Sequence, residues 1–360
     1  MTLPVTFLSE LQELVECQSP SQDLLACNAV VAQAVEIADR NLQPSAEIRS
    51  YGGRPVFWWG SGQPDVVLLC HLDTVWPIDS YLPLWRQEGD QIFGPGIFDM
   101  KAGFLQAMYA LKDIPQAFEK VALIGTTDEE IGSHASRALI EELSGGAKAV
   151  LIFESSINDT VKIGRKGTAM YKITVRGRAA HAGLEPEKGI NATTEIASVV
   201  LAMSKLENPE HGTTVVPTMM QSGSTTNTVP AVATLDIDAR SFLSSELNRI
   251  DAAIKGLKLT HPEAAIEIVG GINRPPLEHA ATAELYTLIE SVAEKLGVPP
   301  VGHVSVGGAS DGNIAAAAGA KVLDGLGASG NGAHAQHEHI FASRLESRIS
   351  LIAGLIKELI

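Results

Sequence analysis

From the start of the chain to about residue 163, short apolar runs alternate with segments whose apolar residues recur at helical spacing. VVLLCHLD, KVALIGTTDEE and KAVLIFES are nearly unbroken apolar runs that close on polar residues, whereas KAGFLQAMYALKD and HASRALIEEL follow a three-to-four-residue period. Continuous Val, Leu and Ile runs are the pattern of strands covered by helices on both faces, so this stretch predicts an α/β domain with a mostly parallel sheet. Such sheets bind ligands beyond the carboxyl ends of their strands, which directs attention to the polar residues closing each run.

Between about 164 and 276 the texture changes. TAMYKITVRG, TTVVPTMMQSG and VATLDIDARSF read as alternating strands, with helical segments INATTEIASVVLAMSKL and SSELNRIDAAIKGL among them, which predicts a separate α+β domain. GGINRPP then punctuates the chain, and ATAELYTLIESVAEKLG and AKVLDGLG resume the first pattern. The expected division is a catalytic domain from 1–163 and 277–360, interrupted by an inserted domain at 164–276. A chain of 360 residues exceeds the ~250–300 at which single cores stop growing, which agrees with two domains. The closing SRLESRISLIAGLIKELI reads as an amphipathic packing helix.

Charge narrows the partners. With 42 Asp and Glu against 27 Lys and Arg, the formal net charge is −15, which argues against nucleic acid or an anionic membrane as partner. Cys17, Cys27 and Cys70 lack CxxC spacing, so neither a disulfide framework nor a cysteine zinc site is expected, and a reducing cytoplasm suits the chain. The N-terminal MTLPVTFLSELQELVECQ has no basic region before its apolar residues and does not read as a secretory signal. No apolar stretch is long enough to span a bilayer.

The polar residues at the run ends carry the chemistry. Alternation points His71 and Asp73 of VVLLCHLD to one side, so that one can bind a metal while the other steadies it. Asp99, in the turn GPGIFDMKAG, reads either as a helix N-cap or as a metal carboxylate. Asp128, Glu129 and Glu130 are three adjacent acids, costly to pack together without a counter-charge. Glu154 closes a further run, and GNGAHAQHEHI adds His334, His337 and His339. His71, Asp99, Glu129, Glu130 and Glu154 are all expected at or just beyond a strand's C-terminal end in one parallel-sheet domain. Imidazoles and carboxylates together make a mixed nitrogen and oxygen donor set suited to zinc, with cobalt or manganese chemically possible.

HLDTVWP, GPGIFDMKAG, TTDEEIG, GRKGTAMYKITVRGRAAHAG, NTVPAVATLDIDAR, GGASDGN and GAHAQHEHI together resemble the M20 metallopeptidase family, in its glutamate carboxypeptidase branch, over essentially the whole chain. The resemblance implies two zinc ions per chain: Asp99 bridges them, His71 and Glu154 complete one site, and Glu130 and His334 the other. It implies Glu129 as general base, Asp73 as the carboxylate orienting His71, and a cis peptide after Asp99. Met100 stands where several relatives carry a second Asp.

The inserted segment is implied to be a ferredoxin-like lid and dimerisation domain. Its GRAAHAG motif supplies His181 to stabilise the tetrahedral oxyanion, commonly across a homodimer. Asn227 and Arg240 are implied to hold the substrate's α-carboxylate, with Lys162 as a second cationic contact and Arg165 and Lys166 nearby. Ser310, Asp311, Gly312 and Asn313 match a loop near the family's active site, although a helix N-terminus explains them equally well. The implied activity is hydrolysis of the amide bond to a C-terminal amino acid, glutamate foremost, in a small N-acyl or peptidyl substrate. Alternatives within the family are an acetylornithine deacetylase, a succinyl-diaminopimelate desuccinylase, an aminoacylase or a dipeptidase. A non-catalytic metal-binding scaffold is the alternative of another class, and Glu129 beside Glu130 argues against it, since a scaffold needs no base.

Overall fold

The unbroken apolar runs form the middle of a six-stranded sheet in the computed structural model, which describes residues 5–360. The first four residues of the segment read as non-secretory lie outside the described residues. The chain divides into two compact units. The first takes the residues up to Gly164 with Glu278–Val306 and Ser310–Ile360; the second takes Arg165–Leu277 with Gly307–Ala309. Both cuts fall one residue after the expected ones, and residues 307–309, expected with the flanking catalytic segment, group with the second unit instead.

In the first unit the sheet runs β1 (Glu47–Tyr51), β2 (Arg54–Gly60), β6 (Val121–Thr126), β3 (Val66–His71), β7 (Ala149–Ile152) and β14 (Val322–Leu323). The β6–β3–β7–β14 half is parallel, and β1 and β2 join antiparallel. Every residue of β3, β6 and β7 is buried, as expected of strands covered on both faces. Val66, Leu68 and Cys70 of β3 turn to a core built from helices α1 (Val5–Glu16), α2 (Leu24–Asn41), α3 (Ala102–Leu111) and α9 (Ala342–Leu359), while Val67 and Leu69 turn to the other face.

All ten residues of α3 are buried, which suits a helix apolar on every side. Gly103 lets α3 approach the end of β7, because a Cβ there meets the Phe153 carbonyl oxygen at 2.1 Å. Helices α4 (Arg137–Gly146), α7 (His279–Leu296) and α8 (Asp311–Ala317) complete the unit's helices. A small sheet pairs β4 (Arg86–Glu88), β5 (Gln91–Phe93), β16 (His339–Phe341) and β15 (Gly330–Asn331), and β8 (Val161–Arg165) pairs with β13 (His303–Val306).

The second unit is an antiparallel sheet in the order β10 (Thr214–Ser222), β11 (Val232–Ser241), β9 (Gly167–Arg176) and β12 (Ala265–Arg274). Ala169, Tyr171, Ile173 and Val175 alternate inward against α5 (Ala192–Met203) and α6 (Ser244–Lys255), so one face is packed, while the other leaves Met170, Val216, Val232 and Val269 exposed among polar residues such as Lys172 and Arg176. Among the described residues, no helix is long and apolar enough to cross a membrane.

Candidate metal centre

Parallel pairing of β3 with both β6 and β7 places three strand ends side by side. His71 pairs with Thr126, and Leu69 with Ile152. His71 is the last residue of β3; Glu129 opens a short turn, Glu129–Ile131, just after β6; Glu154 follows β7. Asp99 arrives from the turn that precedes α3, as its GPGIFDMKAG context implies. It does not close a strand of the parallel sheet but sits in a tight turn, Ile97–Lys101, between β5 of the small sheet and α3. That turn has non-helical φ and ψ at Asp99 and Met100, and the peptide between them is cis.

The two oxygens of Asp99 face two imidazoles. Asp99 Oδ1 lies 3.3 Å from His71 Nε2, and Oδ2 lies 3.4 Å from His334 Nε2. His71 Nε2 is also 3.8 Å from Glu154 Oε1, and His334 Nε2 is 3.1 Å from Glu130 Oε1. Donor atoms of His71, Asp99 and Glu130 fall within 4.8 Å of one another, as do those of His71, Glu129 and Glu154. The structure therefore gathers His71, Asp99, Glu129, Glu130, Glu154 and His334 at one place. His339 goes elsewhere: its Nδ1 contacts the His337 backbone carbonyl at 2.8 Å and its Nε2 contacts Gln91 at 3.0 Å, while His337 is exposed.

The surrounding groups explain how the donors are held. His71 Nδ1 lies 3.0 Å from the Asp73 carbonyl and 3.5 Å from Asp73 Oδ1, which directs Nε2 at Asp99. The fully buried Asp73 carboxylate also accepts from the Ser21 hydroxyl at 2.7 Å and from the backbone N–H groups of Glu129 and Glu130 at 3.3 and 3.2 Å. One carboxylate thus fixes both the imidazole and the acidic turn. Asp128, the first of the three adjacent acids, turns away and accepts from Ala135 and Ser136 N–H, which takes one of the three like charges out of the cluster. The buried Met100 sulfur accepts from His71 N–H at 3.4 Å.

Lys101 is fully buried and its ammonium donates to the Leu14 and Cys17 carbonyls at the end of α1, anchoring the Asp99 turn from its far side. Lys162 is buried with Nζ 3.7 Å from Glu154 Oε2 and 3.4 Å from the Ser155 hydroxyl.

Glu338 was not singled out by the sequence reasoning. Buried at 0% exposure, its carboxylate accepts four N–H groups: Trp76 Nε1, Gly96, Phe98 and Asp99. Burial pushes this carboxyl up to about 7, against the donors that favour its ionised form. Its only sequence signal is an acid flanked by histidines, and those histidines drew the attention.

The electrostatics fit a cation. Hydrogen bonds to Asp99 and Glu130 push the His334 imidazole up to about 10, and burial, which opposes the charge on His71, is outweighed by Asp73 and Asp99, so His71 also lies well above its ordinary value. Burial favours protonation of Asp99, yet the hydrogen bonds from His334 and His71 hold it below the usual carboxylate range, while burial raises Glu130. Carboxylates that draw protons onto their neighbouring imidazoles have an excess of negative charge, which divalent cations on the same donors balance. The donor set, two imidazole nitrogens and carboxylate oxygens split by Asp99, suits two borderline metals such as zinc.

His181, Asn227 and Arg240 belong to the second unit. His181 is exposed, bridges to Thr228, and its Nδ1 accepts from Gly183 N–H at 3.1 Å. Asn227 is exposed, with its backbone carbonyl taken by Ala182 N–H. The Arg240 fork is held by Asp238, at 2.9 and 3.0 Å, and its Nη1 donates to the Gly307 carbonyl. Arg165 donates to the Gly308 and Ala309 carbonyls, which accounts for residues 307–309 joining this unit.

Comparison with known proteins gives a consistent picture. Residues 67–358 match the family described as peptidase family M20/M25/M40. The chain is 31% identical over 319 residues to carboxypeptidase G2 from a Pseudomonas species, covering 83% of this chain and 75% of that protein. It is 26% identical to succinyl-diaminopimelate desuccinylase 1 of Alteromonas mediterranea, covering 83% and 80%. Among solved structures, aminopeptidase PepT from Bacillus cereus superposes with a TM-score of 0.76 at 22% identity, over 98% of both chains. An M20 family metallo-carboxypeptidase from Sulfolobus solfataricus superposes with a TM-score of 0.72 at 16% identity, over 98% and 99%. At these identities the structural likeness speaks to the fold.

Proposed function

The chain belongs to peptidase family M20/M25/M40, and from that premise we propose that it is a two-zinc hydrolase that releases a C-terminal amino acid, glutamate foremost, from a small N-acyl or peptidyl substrate. The observation that carries this reading is the split of Asp99 between His71 and His334, with Glu154 on one side and Glu130 on the other. In this assignment Asp99, His71 and Glu154 hold one ion and Asp99, Glu130 and His334 the other. Divalent ions held by these residues would supply Lewis acidity, making a water easier to deprotonate and polarising the scissile carbonyl.

The protein's own groups supply the rest. Glu129, whose backbone is held by Asp73, takes the proton of the attacking water and returns a proton to the leaving nitrogen. Asp73 keeps His71 directed at Asp99. On the likeness of GRAAHAG, NTVP and DIDAR to the family's motifs, His181 is assigned to the oxyanion, and Asn227 and Arg240 to the substrate carboxylate, with Lys162 as a further cationic contact. The buried pairing of Lys162 with Glu154 also supports a role in steadying that ligand. Exposed Val216, Met219 and Met220 on edge strand β10 support pairing of two copies through the second unit. Three free cysteines support a reducing cytoplasmic setting.

The test is metal content together with hydrolysis of a panel of N-acyl and peptidyl amino acids, with and without chelator. Two zinc ions per chain and chelator-sensitive release of glutamate are the expected result. Release of a different amino acid moves the assignment to the deacylase alternatives, and bound zinc without turnover across the panel counts for a scaffold.

A further inference from the structure

We propose that Arg348 is a positioning residue for the Glu154 half of the metal centre: from α9 it locks the two segments that hold Glu154, so its loss weakens the ion held with Glu154 and spares the other. The inference rests on the two-ion reading above. α9 buries an apolar face that includes Leu345, Ile349, Ile352 and Ile356, and Arg348 is carried into the interior with them at 5% exposure. Burial pushes its guanidinium down to about 10, so at neutral pH it keeps its charge and its five N–H donors. A buried charge is costly unless those donors are met.

Arg348 meets them with backbone carbonyls of two different segments. Nε donates to Gly327 at 2.7 Å and Nη2 to Gly325 at 2.8 Å, both just beyond β14. Nη1 donates to Asp159 at 3.3 Å, in the turn that follows Glu154. Asn158 and Asp159 of that turn have φ of 51 and 61°, a left-handed conformation that is costly for residues with a Cβ and persists only under restraint from its surroundings. The guanidinium fixes both segments at once because its donors form one rigid plane.

The same segments hold Glu154. It lies beyond the last paired residue of β7, Ile152, and its backbone carbonyl accepts the Gly327 N–H at 2.9 Å. On either side, Leu326 N–H donates to the Ile152 carbonyl at 3.1 Å and Ser156 N–H to the Ala328 carbonyl at 2.9 Å. Gly327 permits this approach, since a Cβ there meets the Phe153 and Glu154 carbonyl oxygens at 2.2 and 2.8 Å. Lys162, with Nζ 3.7 Å from Glu154 Oε2, gives its backbone N–H to the Asp324 carbonyl at 2.7 Å. Donation from Arg348 therefore limits how far Gly325–Gly327 can shift, and with it the direction of the Glu154 carboxylate. Glu130 and His334 come from the Glu129–Ile131 turn and the loop between β15 and β16, which none of these bonds touches.

The test is a stepwise zinc titration of the full chain against a chromogenic chelator, in wild type, Arg348→Met and Arg348→Lys, with Glu154→Gln and Glu130→Gln marking which step belongs to which ion. Arg348→Met removes all three bonds; Arg348→Lys keeps the charge and is read alone if Arg348→Met does not fold. Each is expected to weaken the step marked by Glu154→Gln by about 10–100-fold, with Arg348→Lys the milder, and to leave the step marked by Glu130→Gln within about twofold. Leu351→Ala, at a buried apolar position of the same helix, controls for lost stability and is expected to leave both steps at wild type. Equal weakening of both steps, a loss in Leu351→Ala matching that of the Arg348 variants, or no loss in any folded Arg348 variant overturns the proposal. Should wild type bind fewer than two ions, the two-ion reading fails by itself, and hydrogen exchange over residues 153–163 decides the role of Arg348. Faster exchange in Arg348→Lys than in wild type and Leu351→Ala upholds the lock on Glu154, and equal exchange overturns it.

Discussion

Glu338 and Asp99 meet through the backbone: Glu338 Oε1 accepts the Asp99 N–H at 3.1 Å, and the Phe98 N–H at 3.0 Å. The other oxygen takes the Gly96 N–H and the Trp76 indole, so a single buried carboxylate shapes the whole turn that presents Asp99 to His71 and His334. Glu338→Gln replaces one acceptor with a donor facing N–H groups. Metal affinity is expected to fall about 10–100-fold, the effect typical of groups that support metal ligands, with the far-ultraviolet circular dichroism unchanged. Competition titration with a chromogenic chelator measures this, and wild-type affinity contradicts it.

His181→Ala tests the role assigned to the second unit's histidine. Its ring is exposed and its Nδ1 is taken by Gly183 N–H, leaving Nε2 as the nitrogen that can donate. Loss of an oxyanion donor is expected to lower kcat by about 10²-fold or more with KM little changed. Steady-state kinetics on the cleaved substrate measures it. A rise in KM at constant kcat assigns His181 to ground-state binding instead. Mixing His181→Ala with Arg240→Ala regains activity if two copies share sites, and no recovery counts against sharing.

The second unit carries a pH-dependent contribution at Glu246. Its carboxylate accepts from Arg249 at 2.9 and 2.8 Å and from the Thr213 hydroxyl at 3.0 Å, and the Arg249 pairing, foremost, pushes it down to about 2 from 4.5. A lowered folded value stabilises the fold above about pH 4.5, and that stability is lost as the pH falls toward 2. Arg249 is 41% exposed, so screening reduces the contribution to about 1 kcal/mol. Thermal unfolding followed from pH 6 to 3 is expected to show a steeper fall for wild type than for Glu246→Gln. Parallel curves contradict the assignment.

Much of the architecture was legible because burial on both faces leaves a plain mark. β3, β6 and β7 are apolar at every position or nearly so, and the polar residue after each run had to lie at the sheet's carboxyl edge. Asp99 was legible as a residue and not as a geometry. It belongs to a turn whose shape is set by Glu338, 239 positions later, and by Lys101 reaching the end of α1. Such support runs through backbone N–H and C=O groups, which leave no side-chain pattern to read. In the same way, HEH drew attention to His337 and His339, while the acid between them does the positioning. Lys162 was expected from the resemblance as a cationic contact for substrate, and its burial against Glu154 comes from the β8 pairing that sequence spacing does not reveal.

The most direct measurement is zinc content and turnover of Glu129→Gln beside wild type, each loaded with zinc and freed of excess. Glu129 lies within 4.8 Å of His71 and Glu154 at their donor atoms, yet its assigned task is proton transfer rather than ligation. The account predicts two zinc ions per chain in both proteins and turnover only in wild type. Turnover in Glu129→Gln at the wild-type rate contradicts the mechanism, and loss of one zinc ion from the variant makes Glu129 a ligand rather than the base.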